Sequence, residues 1–378
     1  MTQIDFSKIP SPCFVLEEKL LRKNLTLIKE VMQKADCEII LALKGFSMFS
    51  AFPIVKEYLN GATASSLNEI KLINEYLDYK AHAYIPAYLD IEFDEIMQRS
   101  SHITFNSLSQ WERFKHRSFD GISCGIRVNP QYSEVETEMY NPCVPGSRLG
   151  ITRDKLGDIL PEGIEGIHFH TLCENGADTL ERTLEALEAR FGDLLHQAKW
   201  LNMGGGHLIT NKGYDIEKLI DLIQNIKQKY NLDVILEPGS AIAWQTGFLT
   251  STVLDIMDSQ GISVAILDIS FAAHLPDTLE MPYKPRIRNS YHEPVEGKPT
   301  YRFGGMTCLA GDFMGDYSFD KPLEVGDTLI FEDMIHYTMV KTTTFNGVNL
   351  PSIGILREDN SFNLIKSYGY QSFKEKLS

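Results

Sequence analysis

The sequence predicts an α/β chain, a (β/α)8 barrel accompanied by a separate antiparallel β domain. Three observations carry that expectation. Over the first two thirds of the 378 residues, short apolar runs alternate with amphipathic stretches whose apolar residues recur at helical spacing. Eight such strand-and-helix units fit into about 230 residues, the usual size of a barrel of this kind. Beyond Gly247 the texture changes to β-rich runs separated by Gly, Pro and Asp, with no long helical pattern until the end. A doubly wound parallel sheet is the alternative for the first part.

The segment Pro12–Glu17 reads as a strand that belongs with the β domain, and the first barrel helix spans Glu18–Lys34. The eight barrel strands are expected at Ile39–Leu43, Ala62–Ser65, Ala83–Ala87, Ile103–Asn106, Ile122–Val128, Ile164–His170, Trp200–Met203 and Val234–Glu237. Amphipathic stretches between them include Leu67–Leu77, Ser109–His116, Thr179–Ala198 and Ile216–Tyr230. The stretch Asn129–Leu149 carries three prolines and reads as a long loop of the kind kept for function. In the last third, strands are expected at Phe248–Met257, Ser263–Ile269, Thr328–Glu332 and Tyr337–Thr343. The domains are therefore placed at 18–246 for the barrel and at 1–17 with 247–378 for a β-sandwich or barrel-like second domain.

Composition narrows the function. With 36 basic and 51 acidic residues the net charge is −15, which repels phosphate backbones and anionic lipid and disfavours nucleic-acid and membrane roles. The six cysteines form no CxxC pair, as expected of reduced thiols in a cytoplasmic protein. No apolar run approaches the roughly 20 residues needed to span a bilayer, and Met1–Pro12 lacks the pattern of a secretory leader. No metal centre is expected.

Several unusual residues fall at the C-terminal ends of barrel strands, the face where such barrels place their active sites. Lys44 closes the apolar run Glu38–Phe46, so a buried strand delivers an amine, which is costly to desolvate unless it is paired, neutralised or used covalently. His170 ends the sixth strand. Gly204-Gly205-Gly206 follows the seventh, where backbone without side chains can turn N–H groups onto an anion. Glu237 ends the eighth strand, before Pro238-Gly239. Taken singly, the glycines are equally a tight turn, the acid a surface ion pair and the histidine a structural group. Together, an amine, an anion cradle, a carboxylate and an imidazole at one mouth suggest pyridoxal phosphate, with the lysine as Schiff base and the acid keeping the pyridine nitrogen protonated.

The motifs Ala42-Leu43-Lys44, Phe169-His170, Gly204-Gly205-Gly206, Glu237-Pro238-Gly239, Thr307-Cys308 through Gly311-Asp312, Tyr337-Thr338 and Phe345-Asn346-Gly347 occur in this order along nearly the whole chain. In them the chain resembles the fold III pyridoxal-phosphate decarboxylases related to ornithine and diaminopimelate decarboxylases. Within that group, Leu41–Phe46, His168–Glu174 and Leu279–Tyr283 look most like the carboxynorspermidine/carboxyspermidine decarboxylases. The resemblance implies a barrel of alanine-racemase type and a homodimer with shared active sites. It implies that Lys44 binds the cofactor, His170 stacks on its ring, Glu237 meets its nitrogen and the three glycines hold its phosphate. Tyr337 would reach the phosphate from the neighbouring subunit, and Cys308, from that subunit too, would act as a general acid. Cys173 and Ser240 stand where relatives have a phosphate-binding serine and an arginine.

Where ornithine decarboxylases carry an aspartate after the reactive cysteine, this chain has Leu309, and the Cys-Glu-Ser-x-Asp of the diaminopimelate enzymes is replaced by Cys308-Leu309-Ala310-Gly311-Asp312. These departures point away from ornithine and diaminopimelate and towards a polyamine-like substrate with an α-amino acid head. Its cationic tail needs anionic partners, for which Asp268, Asp277, Glu280 and Asp312 are candidates, together with Glu237 and with Asp316 behind them. The alternatives are a diaminopimelate or other basic amino acid decarboxylase, an amino-acid racemase, and a non-catalytic pyridoxal-phosphate homeostasis protein.

Overall fold

The computed structural model describes residues 5–117 and 119–378. They divide into two compact units, Asn24–Ile242 and, together with the described residues up to Lys23, Ala243–Ser378. The first division falls inside the helix Glu18–Ala35.

The strands in chain order begin with β1 (Cys13–Glu17), which belongs to the second unit. The barrel strands are β2 (Glu38–Ile39), β3 (Leu41–Ala42), β4 (Ala62–Ala64), β5 (Ala81–Tyr84), β6 (Ser100–Phe105), β7 (Ser123–Arg127), β8 (Gly166–His168), β9 (Trp200–Asn202) and β10 (Asp233–Leu236). All are parallel, in the order β2-β10-β9-β8-β7-β6-β5-β4-β3. The expected first strand, 39–43, is broken at Ile40 so that β2 pairs with β10 and β3 with β4. Backbone bonds from Ile40 N–H to Leu236 O (2.9 Å) and from Leu41 N–H to Gly61 O (3.1 Å) bridge the break. Nine short strands thus fill eight positions, and the doubly wound alternative is set aside.

Local chemistry explains the elements. Ser66 caps the helix Leu67–Tyr76 by accepting from Glu69 N–H, Asp215 caps Ile216–Tyr230 in the same way, and Asn231, at φ 53°, ends the latter. β5 stops at Tyr84, two residues before Pro86, which has no N–H for a ladder. Trp200 fills the space left by Gly125 and Gly166, where an added Cβ would lie 2.2 and 1.9 Å from its ring, and its Nε1–H donates to Ser123 Oγ (2.8 Å).

The second unit is a mixed sheet rather than a wholly antiparallel one. Its later strands are β11 (Gly247–Ser259), β12 (Ile262–Leu267), β13 (Thr300–Gly304), β14 (Phe313–Ser318), β15 (Thr328–Glu332), β16 (Ser352–Leu356) and β17 (Phe362–Lys366). The order is β14-β13-β12-β11-β1-β16-β17, with β15 also on β11; β1–β16 and β12–β13 are parallel. Cys13 and Val15 of the central β1 pack with Ile9, Phe248, Ile330 and Leu356. The segment expected as a strand at Tyr337–Thr343 is a run of turns, because Tyr337 adopts φ 46°, outside the region that a sheet ladder requires.

Candidate functional site

The barrel places its predicted residues just beyond strand ends. Lys44 lies in the turn after β3, and here the expectation of a buried amine is corrected: Lys44 is exposed, because the chain leaves the sheet at Leu43 before the lysine is reached. His170 sits two residues past β8 and Glu237 one past β10. Lys44 and Arg127 are close enough to join burial in holding the His170 imidazole well below its ordinary pKa, so the ring is neutral at pH 7. Gly205 N–H donates to His170 Nδ1 (3.0 Å), and Arg127 Nη2 donates to the His170 carbonyl (3.0 Å) while its guanidinium stacks 4.7 Å over the Tyr84 ring.

The glycine triplet is required by close approach to neighbouring backbone. A Cβ on Gly204 would fall 2.5 Å from Phe169 O, on Gly205 2.5 Å from Glu237 O, and on Gly206 2.1 Å from Leu172 O. The N–H groups of Gly204 and Gly205 point inward, to Asn202 Oδ1 (2.8 Å) and to His170. Beside the loop, Cys173 N–H donates to Asn175 Oδ1 (2.8 Å), and Ser240 Oγ donates weakly to Glu174 (3.4 Å).

Glu237 is 11% exposed at its side chain. Burial opposes its ionisation, but the His168 imidazole and the Asn202 amide outweigh burial and keep the carboxyl below its usual range. Asn202 Nδ2 donates to Oε1 at 2.7 Å; His168 Nε2 lies 3.7 Å from Oε2. The group of residues fits pyridoxal phosphate: a side-chain-free loop, a neutral imidazole, an ionised carboxylate shielded from water and a primary amine surround one barrel mouth. Arg127 and Asn202 were not singled out from the sequence; each is a polar residue inside a run read simply as a buried strand.

In the sheet unit, Cys308 is exposed and its N–H donates to Asn346 Oδ1 (2.8 Å). The buried Asp312 accepts from Thr307 Oγ1 (2.6 Å), Thr307 N–H (3.1 Å) and Ala272 N–H (3.0 Å), which makes it the brace of the loop that carries Cys308. Asp268 accepts from Ser251 Oγ and Thr252 N–H (both 2.8 Å), Glu280 pairs with Lys341, and Asp316 with Arg302. Asp277 differs. Its Oδ2 accepts from Thr338 Oγ1 (2.7 Å), next to Tyr337, and from Tyr283 OH (2.8 Å), while its buried Oδ1 has no hydrogen-bond partner.

Among the described residues no helix is long and apolar enough to cross a membrane. The family model described as pyridoxal-dependent decarboxylase, C-terminal sheet domain, matches residues 46–335. The chain is 51% identical over 373 residues to carboxyaminopropylagmatine decarboxylase of Synechocystis sp., covering 98% of this chain and 96% of that protein. It is 45% identical over 378 residues to carboxynorspermidine/carboxyspermidine decarboxylase of Campylobacter jejuni, covering 97% and 98%. The crystal structure of carboxynorspermidine decarboxylase from C. jejuni complexed with norspermidine superposes with a TM-score of 0.91 at 43% identity, over 97% of this chain and 100% of that one. Diaminopimelate decarboxylase from Helicobacter pylori, at 18% identity and a TM-score of 0.78, shares the fold. With the family model spanning most of both units and relatives matching end to end, the chain belongs to the pyridoxal-dependent decarboxylases and is a carboxy-lyase with pyridoxal phosphate as cofactor.

Proposed function

We propose that this enzyme decarboxylates carboxynorspermidine, carboxyspermidine or both, in polyamine biosynthesis. The observation that carries the reading is the end-to-end similarity to an enzyme whose structure holds norspermidine. A second reading, carboxyaminopropylagmatine, is favoured by the 51% identity to the Synechocystis protein. Both substrates combine an amino acid head with a cationic tail, and they differ in whether that tail ends in an ammonium or a guanidinium.

In this reading Lys44 would hold the cofactor through its side-chain amine, and its exposure at the mouth would keep that attachment within reach of a substrate. His170, neutral and fixed by Gly205, would lie against the cofactor ring. Glu237 would accept a hydrogen bond from the ring nitrogen and so favour its protonated form. Gly204, Gly205 and Gly206 would let the phosphate approach the backbone, with Cys173 and Ser240 beside it and Tyr337 of a second copy reaching it. Pyridoxal phosphate, when bound, supplies the electron sink for the pair left behind as CO2 departs. Cys308 donates the proton that replaces the carboxylate at the substrate Cα. Of the acids expected to read the tail, Asp277 is the one in the sheet unit with a buried carboxylate oxygen that has no hydrogen-bond partner, whereas Asp268, Glu280 and Asp312 each hold a bond or ion pair within the protein. Cys308 and Tyr337 serve the site of a second copy of the chain in a homodimer, and the six free cysteines support a cytoplasmic setting.

The test is a panel scored for CO2 release and for loss of optical activity: carboxynorspermidine, carboxyspermidine, carboxyaminopropylagmatine, ornithine and diaminopimelate. The first two should be turned over fastest. Faster release from carboxyaminopropylagmatine selects the second reading, and faster release from diaminopimelate overturns both.

A further inference from the structure

We infer that Asn202 is a positioning residue that couples the two ends of the cofactor site, tying the glycine loop to the carboxylate of Glu237. The inference rests on Glu237 being the acid at the ring nitrogen. Asn202 ends β9 and is buried. Its Oδ1 accepts from Gly204 N–H at 2.8 Å and its Nδ2 donates to Glu237 Oε1 at 2.7 Å. The backbone repeats the tie, with Glu237 N–H donating to Gly204 O at 2.8 Å. A backbone N–H only donates and an ionised carboxylate only accepts, so the amide has one orientation that satisfies both neighbours. No other short side chain does the same at neutral pH: an ionised aspartate cannot donate, serine cannot span both, and an aliphatic residue does neither.

His168 does not duplicate this role. Its Nε2 stands 3.7 Å from Glu237, beyond hydrogen-bond length, and neither ring nitrogen has a hydrogen-bond partner. Burial holds the imidazole below its ordinary pKa, and its pull on the Glu237 carboxyl acts across that 3.7 Å gap without a bond that would set the plane of the carboxylate. Asn202 is therefore the donor that fixes the plane of the carboxylate, and it fixes that plane relative to the loop that would hold the phosphate.

The experiment measures pyridoxal-phosphate affinity of the apoenzyme and thermal unfolding of the same apoprotein for wild type, N202D, N202S and E237Q, between pH 6 and pH 8. N202D keeps the acceptor for Gly204 but sets a carboxylate against Glu237. Cofactor affinity should fall roughly tenfold or more at pH 8 and recover as the pH is lowered, because burial and the like charge raise the introduced carboxyl until it takes a proton and donates. N202S, which is too short to bridge, should lose affinity at every pH with little change in unfolding temperature. Wild-type affinity in N202S, or a loss in N202D that tracks a lowered unfolding temperature and does not recover at pH 6, overturns the inference. E237Q separates the underlying reading: if it alone weakens binding, Asn202 has no role, and if it binds the cofactor and absorbs light as wild type does, Glu237 is not the ring-nitrogen acid.

Discussion

Replacing Gly205 with alanine tests whether the glycine loop serves the carboxylate behind it. The added Cβ would stand 2.5 Å from Glu237 O, against the 3.4 Å at which ordinary contact begins, so something must move by about 0.9 Å. The atom in the way is backbone at the end of β10 and cannot swing aside as a side chain does. If the Glu237 side chain moves with it, the 2.7 Å bond from Asn202 lengthens past the limit of a hydrogen bond. Overpacking of this kind costs about 1–3 kcal/mol of stability. A displacement near 1 Å at a reacting site lowers kcat/KM on the order of 100-fold, about 2.7 kcal/mol of transition-state stabilisation. The assay is CO2 release from carboxynorspermidine beside thermal unfolding of the apoprotein, with Gly315→Ala as control, since an added Cβ there meets nothing within 4 Å. Wild-type unfolding and wild-type kcat/KM in Gly205→Ala would refute the reasoning.

Lys44→Ala should abolish the visible absorbance of the lysine-held cofactor while the protein stays folded; a spectrum unchanged after dialysis would remove Lys44 from that role. Cys308→Ala should retain the absorbance and lower the rate of product formation by roughly 100-fold, as loss of a general acid does, and an unaffected rate would exclude the thiol. Asp277→Asn should raise KM for the carboxypolyamine about tenfold or more with kcat less changed, and an unaltered KM would take Asp277 out of tail recognition. Burial holds His82, His207 and His274 at about 3, about 4 and about 4, against an ordinary 6.5. The native state therefore refuses protons that the unfolded chain accepts below pH 6.5, so stability is intact above that pH and is lost as the pH falls towards 4. Each histidine costs on the order of 2 kcal/mol at pH 5. Urea unfolding at pH 7 and pH 5 checks this, and equal stabilities would refute it.

The barrel was legible because parallel strands covered on both faces read as continuous apolar runs, as in Val234-Ile235-Leu236. β14 carries Gly315 and Asp316, and β17 is exposed over most of its length, so neither shows a core-facing alternation; both owe their place to partners that local sequence does not show. Tyr337-Thr338-Met339-Val340 reads as a strand by residue type, but it sits where the chain turns through a left-handed residue. Lys44, His170 and Glu237 stood out because charge or imidazole followed an apolar run. Asn202 and Arg127 did not, since the groups they bind, Glu237 and the His170 carbonyl, come from strands 35 and 43 residues further along. The acids of the sheet unit were indistinguishable by sequence, and only their hydrogen bonds separate Asp277 from Asp268 and Asp312.

The central place of β1 in its sheet has a cost in time. Its neighbours β11 and β16 are made only after the whole barrel, so Cys13-Phe14-Val15-Leu16, fully covered in the finished molecule, must wait through roughly 230 residues of translation. At about 5–20 residues per second that interval is on the order of 10–50 seconds. Throughout it a nascent chain displays an apolar strand with both edges open, the kind of segment that chaperones hold and that crowded ribosomes allow to pair with its own copies.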